Sequence, residues 1–245
     1  MLILTIIAAH ALSFQNCSKV KFSATDEKSV VIKTETGGPN CRTVLETINT
    51  DVKVIYVVDV SGSNDKTDPD QVVRAGSISR FYNSYASKTN FKWNAISFSG
   101  TTAKVRLAEG DGQLFSDFLS WLTGHTDDGD TPYVAALDKT TDIIGADPTP
   151  TSLGKYVVVF ISDGKPDPAV EDSVLKTEVQ QIVASMPGRV SFNTVYYGPN
   201  NADASDRLKM MAQTGGGNFL DTNKNSTGTL FSISDLVIVP GEVCE

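Results

Sequence analysis

Val52-Lys-Val-Ile-Tyr-Val-Val-Asp59-Val-Ser61-Gly-Ser63 is the stretch from which the fold can be read. Val54 to Val58 carry no charge and are mostly β-branched, the pattern of a parallel strand covered on both faces; a strand with one wet face would alternate. The run ends in one carboxylate and two hydroxyls at intervals of two. In extended chain that spacing puts Asp59, Ser61 and Ser63 on one side, with Gly62 allowing a turn between them. Ligands of open α/β sheets sit at the carboxyl ends of strands, and oxygen groups converging there suit a hard cation.

Outward from this strand, the chain from Asp51 alternates strand and helix signals, which predicts a doubly wound α/β domain with a mainly parallel sheet and helices on both faces. Asp68-Pro69-Asp70 predicts a helix start, with the helix running over Val72 to Ser87. Phe91 to Ser99 and Ala103 to Leu107 flank Gly100-Thr-Thr102, a hairpin that supplies one antiparallel edge strand. Leu114 to Leu122 reads as a short amphipathic helix, and Thr131-Pro132 opens another that runs through Ile144. Lys155 to Ile161 is a second apolar strand, ending in Ser162-Asp163-Gly164 much as the first ends. Asp167-Pro168 is expected to cap a helix to Met186. Val190 to Tyr197 reads as a strand, Ser205 to Gln213 as a helix and Asn218 to Leu220 as a last short strand, before a short helix over Leu230 to Val237.

The chain has 245 residues and a formal charge of −8, enough length for one sizeable core. It has no Lys/Arg-rich run, which argues against a nucleic-acid partner. Met1 to Asn16 hold no charged residue and begin with an apolar run too short to span a bilayer, so residues 1–16 read as a signal peptide. Three cysteines follow: Cys17, Cys41 and Cys244. In an exported protein Cys41 and Cys244 are natural partners, one just before the first core strand and one just after the last element. Leu12-Ser-Phe-Gln-Asn-Cys17 resembles a bacterial lipoprotein cleavage site, where the cysteine becomes the lipidated first residue. The protein would then be an envelope lipoprotein, periplasmic or surface-facing. Cleavage after Ala11 is the alternative, and it would leave the protein secreted. Residues 17–40 read as a tether that would span on the order of 75 Å when extended, and 41–245 as the folded domain.

Asp59-Val-Ser61-Gly-Ser63, Thr131 within Gly129-Asp-Thr-Pro-Tyr-Val-Ala-Ala-Leu137 and Asp163 within Phe160-Ile-Ser-Asp-Gly164 stand in the order and context of the von Willebrand factor A domain, which residues 51 to 239 resemble. The resemblance implies a metal-ion-dependent adhesion site built from Asp59, Ser61, Ser63, Thr131 and Asp163. In that family the bound ion keeps an open position, which a partner's Asp or Glu completes. With hydroxyls dominating the shell, Mg2+ is the expected ion, with Mn2+ as a substitute and Ca2+ less well matched. Asp127, Asp128 and Asp130 form an acidic rim before Thr131, and Tyr133 either contacts the ligand or packs under the loops.

Enzymatic readings fare worse. A haloacid-dehalogenase-like hydrolase using magnesium needs a second aspartate where this chain has Ser61. A serine hydrolase would depend on His125, a lone loop histidine, and clustered Cys and His for zinc are lacking. The sequence therefore points to a non-enzymatic recognition domain binding a protein partner. The alternative is a scaffold subunit of an envelope complex that shares the same metal site.

Overall fold

A computed structural model describes residues 41–110, 112–148, 154–199, 201–224, 233 and 236–244, with backbone only for 41–48 and 236–244. The expected signal peptide, the expected lipidation site Cys17 and the expected tether lie outside the described residues, as do the side chains of Cys41 and Cys244.

The chain divides into two compact units, Met1–Ile48 with Ile238–Glu245 and Asn49–Val237. In the first, strand β1 (Cys41–Asn49) pairs with β8 (Leu236–Cys244) in a two-stranded sheet. Asn49–Val237 is the α/β unit. The helix expected over Leu230 to Val237 is not formed at its end, where Leu236 and Val237 open β8.

The α/β unit is a six-stranded sheet in the order β4-β3-β2-β5-β6-β7. Its strands are β2 (Val52–Asp59), β3 (Phe91–Ser99), β4 (Thr102–Gly110), β5 (Lys155–Ser162), β6 (Val190–Tyr196) and β7 (Gly216–Asp221). All eight residues of β2 are buried, and it lies between β3 and β5, parallel to both. Its side chains alternate between two cores. Val54, Tyr56 and Val58 join a cluster with Ile78 and Phe81 of α2 (Val72–Tyr85) and Phe115 and Leu122 of α3 (Gly112–Leu122). Ile55 and Val57 join Leu137 of α4 (Tyr133–Gly145), Val179 of α5 (Asp172–Ser185) and Leu208 of α6 (Ala202–Thr214). Burial on both faces explains the unbroken apolar run. β4 alone is antiparallel, at the edge beside β3.

The capping of two helices differs from the sequence reading. α2 begins at Val72 as expected, but its N-cap position is a left-handed Gln71 (φ 55°), and Asp68 accepts the amides of Val73 and Arg74 at 2.9 and 3.3 Å from four residues before the helix. Asp167 does not cap α5, which begins at Asp172; it pairs instead with Thr131 in an isolated antiparallel bridge.

Candidate metal centre

The order of strands leaves a switch point between β2 and β5, because the chain leaves β2 for β3 on one side and returns to β5 on the other. Crevices for ligands open at such points. Asp59 ends β2 there, and Asp163 directly follows β5. Ser61 and Ser63 come from the turn after β2, which leads into the short helix α1 (Asn64–Thr67). Thr131 comes from a third segment, fixed by reciprocal backbone hydrogen bonds with Asp167 at 2.9 and 3.0 Å.

All five sequence-predicted residues meet in one connected cluster. Ser61 Oγ donates to Asp59 Oδ1 at 2.6 Å, with the Ser61 amide on the same oxygen at 2.9 Å. Thr131 Oγ1 donates to Ser61 Oγ at 3.1 Å, Ser61 and Ser63 Oγ stand 3.1 Å apart, and Ser63 Oγ donates to Asp163 Oδ1 at 3.0 Å. Asp59, Ser61, Thr131 and Asp163 are buried, whereas Ser63 is exposed and marks the mouth.

Further side chains, which the sequence reading missed, hold the cluster. Ser162 Oγ donates to Asp59 Oδ2 at 2.6 Å, and Thr67 donates to Asp163 Oδ2. Thr67 follows Ser63 by four residues, so one helical turn brings both onto the same carboxylate. Tyr197 donates to Asn64 Oδ1, and Asn64 in turn donates to the Ser61 carbonyl at 3.0 Å. Arg74, with no exposed surface, reaches the Asp59 carbonyl at 3.0 Å and the His125 carbonyl at 3.2 Å while pairing with Asp68 at 3.0 Å.

Two glycines permit close approaches. Gly129 (φ 127°) accepts the Gly62 amide at 3.2 Å, a backbone conformation that residues with a Cβ rarely adopt. A Cβ at Gly198 would stand 1.7 Å from the Asp163 carbonyl oxygen. Gly198→Ala is therefore expected to displace Asp163, abolish cation binding and cost about 1–3 kcal/mol of stability, read by metal titration and urea unfolding.

The rim differs in part from expectation. Tyr133 is fully buried, packs edge-on against Phe98 and Phe160, and donates to the Gly164 carbonyl at 2.8 Å. It is a support under the loops and not a ligand contact, because the first turn of α4 points its ring into the core. Asp127 is tied to Ser99 Oγ at 2.9 Å and to His125 Nε2 at 2.8 Å. Partial burial opposes its ionisation, but the Ser99 hydrogen bond and His125 hold it below the usual carboxylate range. Asp128 and Asp130 are exposed.

Burial pushes the Asp59 carboxyl up to about 6, with the neighbouring Asp163 charge adding to it against the opposing hydrogen bonds of Ser162 and Ser61. Among the described residues, no Lys, Arg or His side chain pairs with either carboxylate. No group of three or more His, Cys, Asp or Glu gathers as a metal site among them either. What converges is a pair of repelling carboxylates and three neutral hydroxyls, a donor set that fits a small hard cation better than zinc.

No protein-family model matches the chain, and no curated protein matches it in sequence. Solved structures do match in fold. The manganese-loaded TRAP protein of Plasmodium vivax aligns over 82% of this chain and 81% of its own, with a TM-score of 0.60 and 17% identity. The pilus adhesin SpaC of Lactobacillus rhamnosus GG, in its open conformation, aligns over 78% of this chain and 31% of its own (TM-score 0.54, 13% identity). Proximal thread matrix protein 1 of the mussel byssus, with a zinc-occupied MIDAS motif, aligns over 82% and 50% (TM-score 0.53, 13% identity). The fold is that of a von Willebrand factor A domain, a mostly parallel sheet with one antiparallel edge strand.

Proposed function

We propose that this chain is an exported recognition domain, tethered to a membrane of the cell envelope through a lipidated Cys17. It binds an acidic side chain of a protein partner through a divalent cation. Asp59, Ser61, Ser63, Thr131 and Asp163 hold the cation, with Mg2+ the leading candidate. The observation that carries this reading is the convergence of these five oxygen-bearing side chains, from three separate loops, on one mouth at the sheet's switch point. Structural neighbours described as manganese-loaded and zinc-occupied support a divalent ion of some kind, and the pilus adhesin supports recognition of a partner.

A bound cation would supply a positive centre that attracts an acidic group, and the chain's own residues prepare its site. Three neutral hydroxyls contribute oxygens without cancelling charge, so the site keeps an attraction for an acidic group even on a protein of net charge −8. Recognition is proposed in place of catalysis because, among the described residues, no histidine or lysine hydrogen-bonds to Ser61 or Ser63, whose hydroxyls are instead tied to the carboxylates of Asp59 and Asp163. His125 is engaged by Asp127 and lies against Trp121, with ring centroids 4.2 Å apart.

Calorimetric titration of the full chain with Mg2+ and Mn2+ tests the reading. Saturable binding is expected for the wild type, with a loss of about a hundredfold or more in Thr131→Ala and Asp59→Ala. A folded wild type that binds neither ion would overturn the metal bridge.

A further inference from the structure

A second cavity, of about 350 Å³, opens at the opposite end of the sheet. It lies near Lys53 at the start of β2, six residues and roughly 20 Å from Asp59. That volume is at the small end of ligand pockets. Ile55, Val105 and Ile143 give it apolar walls, and Lys53, Asn94, Glu109, Asp147 and Tyr156 supply the polar groups.

The polar groups are placed by an irregularity in the hairpin. The pairing of β3 with β4 jumps from Trp93↔Gly110 to Ala95↔Leu107, so Ala108 and Glu109 together face Asn94. Such a bulge re-aims side chains, and Glu109 takes a left-handed conformation within it (φ 45°). Non-glycine residues held this way cluster at ligand sites. Lys53 Nζ bonds Glu109 Oε1 and Asp147 Oδ1, each at 2.6 Å, and Tyr156 donates to Asp147 Oδ2. Asp147 has both oxygens engaged, whereas among the described residues Glu109 Oε2 has no protein partner, on a side chain that is 41% exposed. Asn94 is 5% exposed and accepts the Glu109 amide at 3.0 Å through Oδ1, and its Nδ2, open to solvent at the cavity wall, has no protein partner among the described residues.

An available anionic acceptor at the mouth, an unused amide donor beside it and branched apolar walls define a complementary ligand. We propose that this cavity binds a small amphiphile whose ammonium group meets Glu109 and whose adjacent carbonyl accepts from Asn94, with a branched apolar body among Ile55, Val105 and Ile143. A free aliphatic amino amide and the amino terminus of a peptide that begins with an aliphatic residue share this chemistry. The site is independent of the metal centre.

L-leucinamide is the probe, titrated calorimetrically into the full chain. Saturable binding is expected, with none for N-acetyl-leucinamide, which lacks the cation. Glu109→Gln should weaken binding about tenfold through loss of a charge-assisted hydrogen bond. Ala108→Phe, which fills the cavity without touching the ion pairs, should abolish it, and Thr131→Ala should leave it unchanged. Leucyl-glycinamide binding as tightly as leucinamide would assign the site to peptide amino termini, and binding of leucinamide alone to free small molecules. A folded wild type that binds neither probe overturns the proposal, as does undiminished binding in folded Glu109→Gln.

Discussion

Arg74→Met is expected to lower the unfolding free energy by about 3–5 kcal/mol, the range for breaking a buried ion pair on one side. The Arg74 guanidinium bonds three segments at once: Asp68 before α2, the carbonyl of Asp59 at the end of β2, and the carbonyl of His125 after α3. Removing it strands the Asp68 carboxylate, 1% exposed, with only the Val73 and Arg74 amides as donors, and deprives two carbonyls of a partner. Arg74→Lys should restore little, because an ammonium lacks the planar fork that reaches three acceptors in different directions. Arg74→Met combined with Asp68→Asn should recover part of the loss, since the stranded charge is then gone. Urea unfolding of the four proteins checks this. Cation affinity should fall along with stability in the single variant, because the same side chain positions the backbone of Asp59.

The contrast between Arg74 and the cation ligands shows what the sequence reveals. Asp59, Ser61, Ser63, Thr131 and Asp163 are legible because each follows or adjoins a recognisable strand end or helix start, and their chemistry is uniform. Arg74 sits inside a helix, where a basic residue ordinarily faces water, and its partners at positions 59 and 125 become neighbours only once the sheet is assembled. Tyr133 was ambiguous for a related reason: an aromatic after Thr131-Pro132 serves as a rim or as a support, and only the space between Phe98 and Phe160 decides. Strands β2 and β5 are legible, because burial on both faces imposes unbroken apolar runs, whereas β1 and β8 go unread. The helix caps are less legible. Asp68-Pro69 and Asp167-Pro168 look alike in sequence, yet the first caps a helix that begins four residues later and the second pairs with Thr131. Local turn chemistry marks a boundary in both, and tertiary pairing determines its use.

Asp59→Asn is expected to abolish cation binding and at the same time to stabilise the cation-free protein at neutral pH. The Asp59 carboxyl stands at about 6 in the fold, against an ordinary value of 3.8, because it is buried beside Asp163. A raised carboxyl favours the folded state when protonated. Its stabilising contribution is complete below the unfolded value and is lost as pH rises through about 6. Over that interval the cation-free protein loses about 3 kcal/mol from this one group. Asparagine is the neutral isostere, so the variant should show a flat dependence between pH 5 and 7.5 where the wild type, in chelator, declines. The local hydrogen bonds accommodate the change: Ser162 Oγ can accept from the new amide and donate to Tyr133, whose hydroxyl already reaches the Gly164 carbonyl. Added cation reverses the order, because only the carboxylate form of the wild type binds it, and affinity should drop about tenfold per pH unit below about 6. Urea midpoints for both proteins, with chelator and with Mg2+ at the two pH values, give a crossing pattern if Asp59 carries the cation. Parallel curves would mean that Asp59 is a structural acid and that the ion, if bound, sits elsewhere.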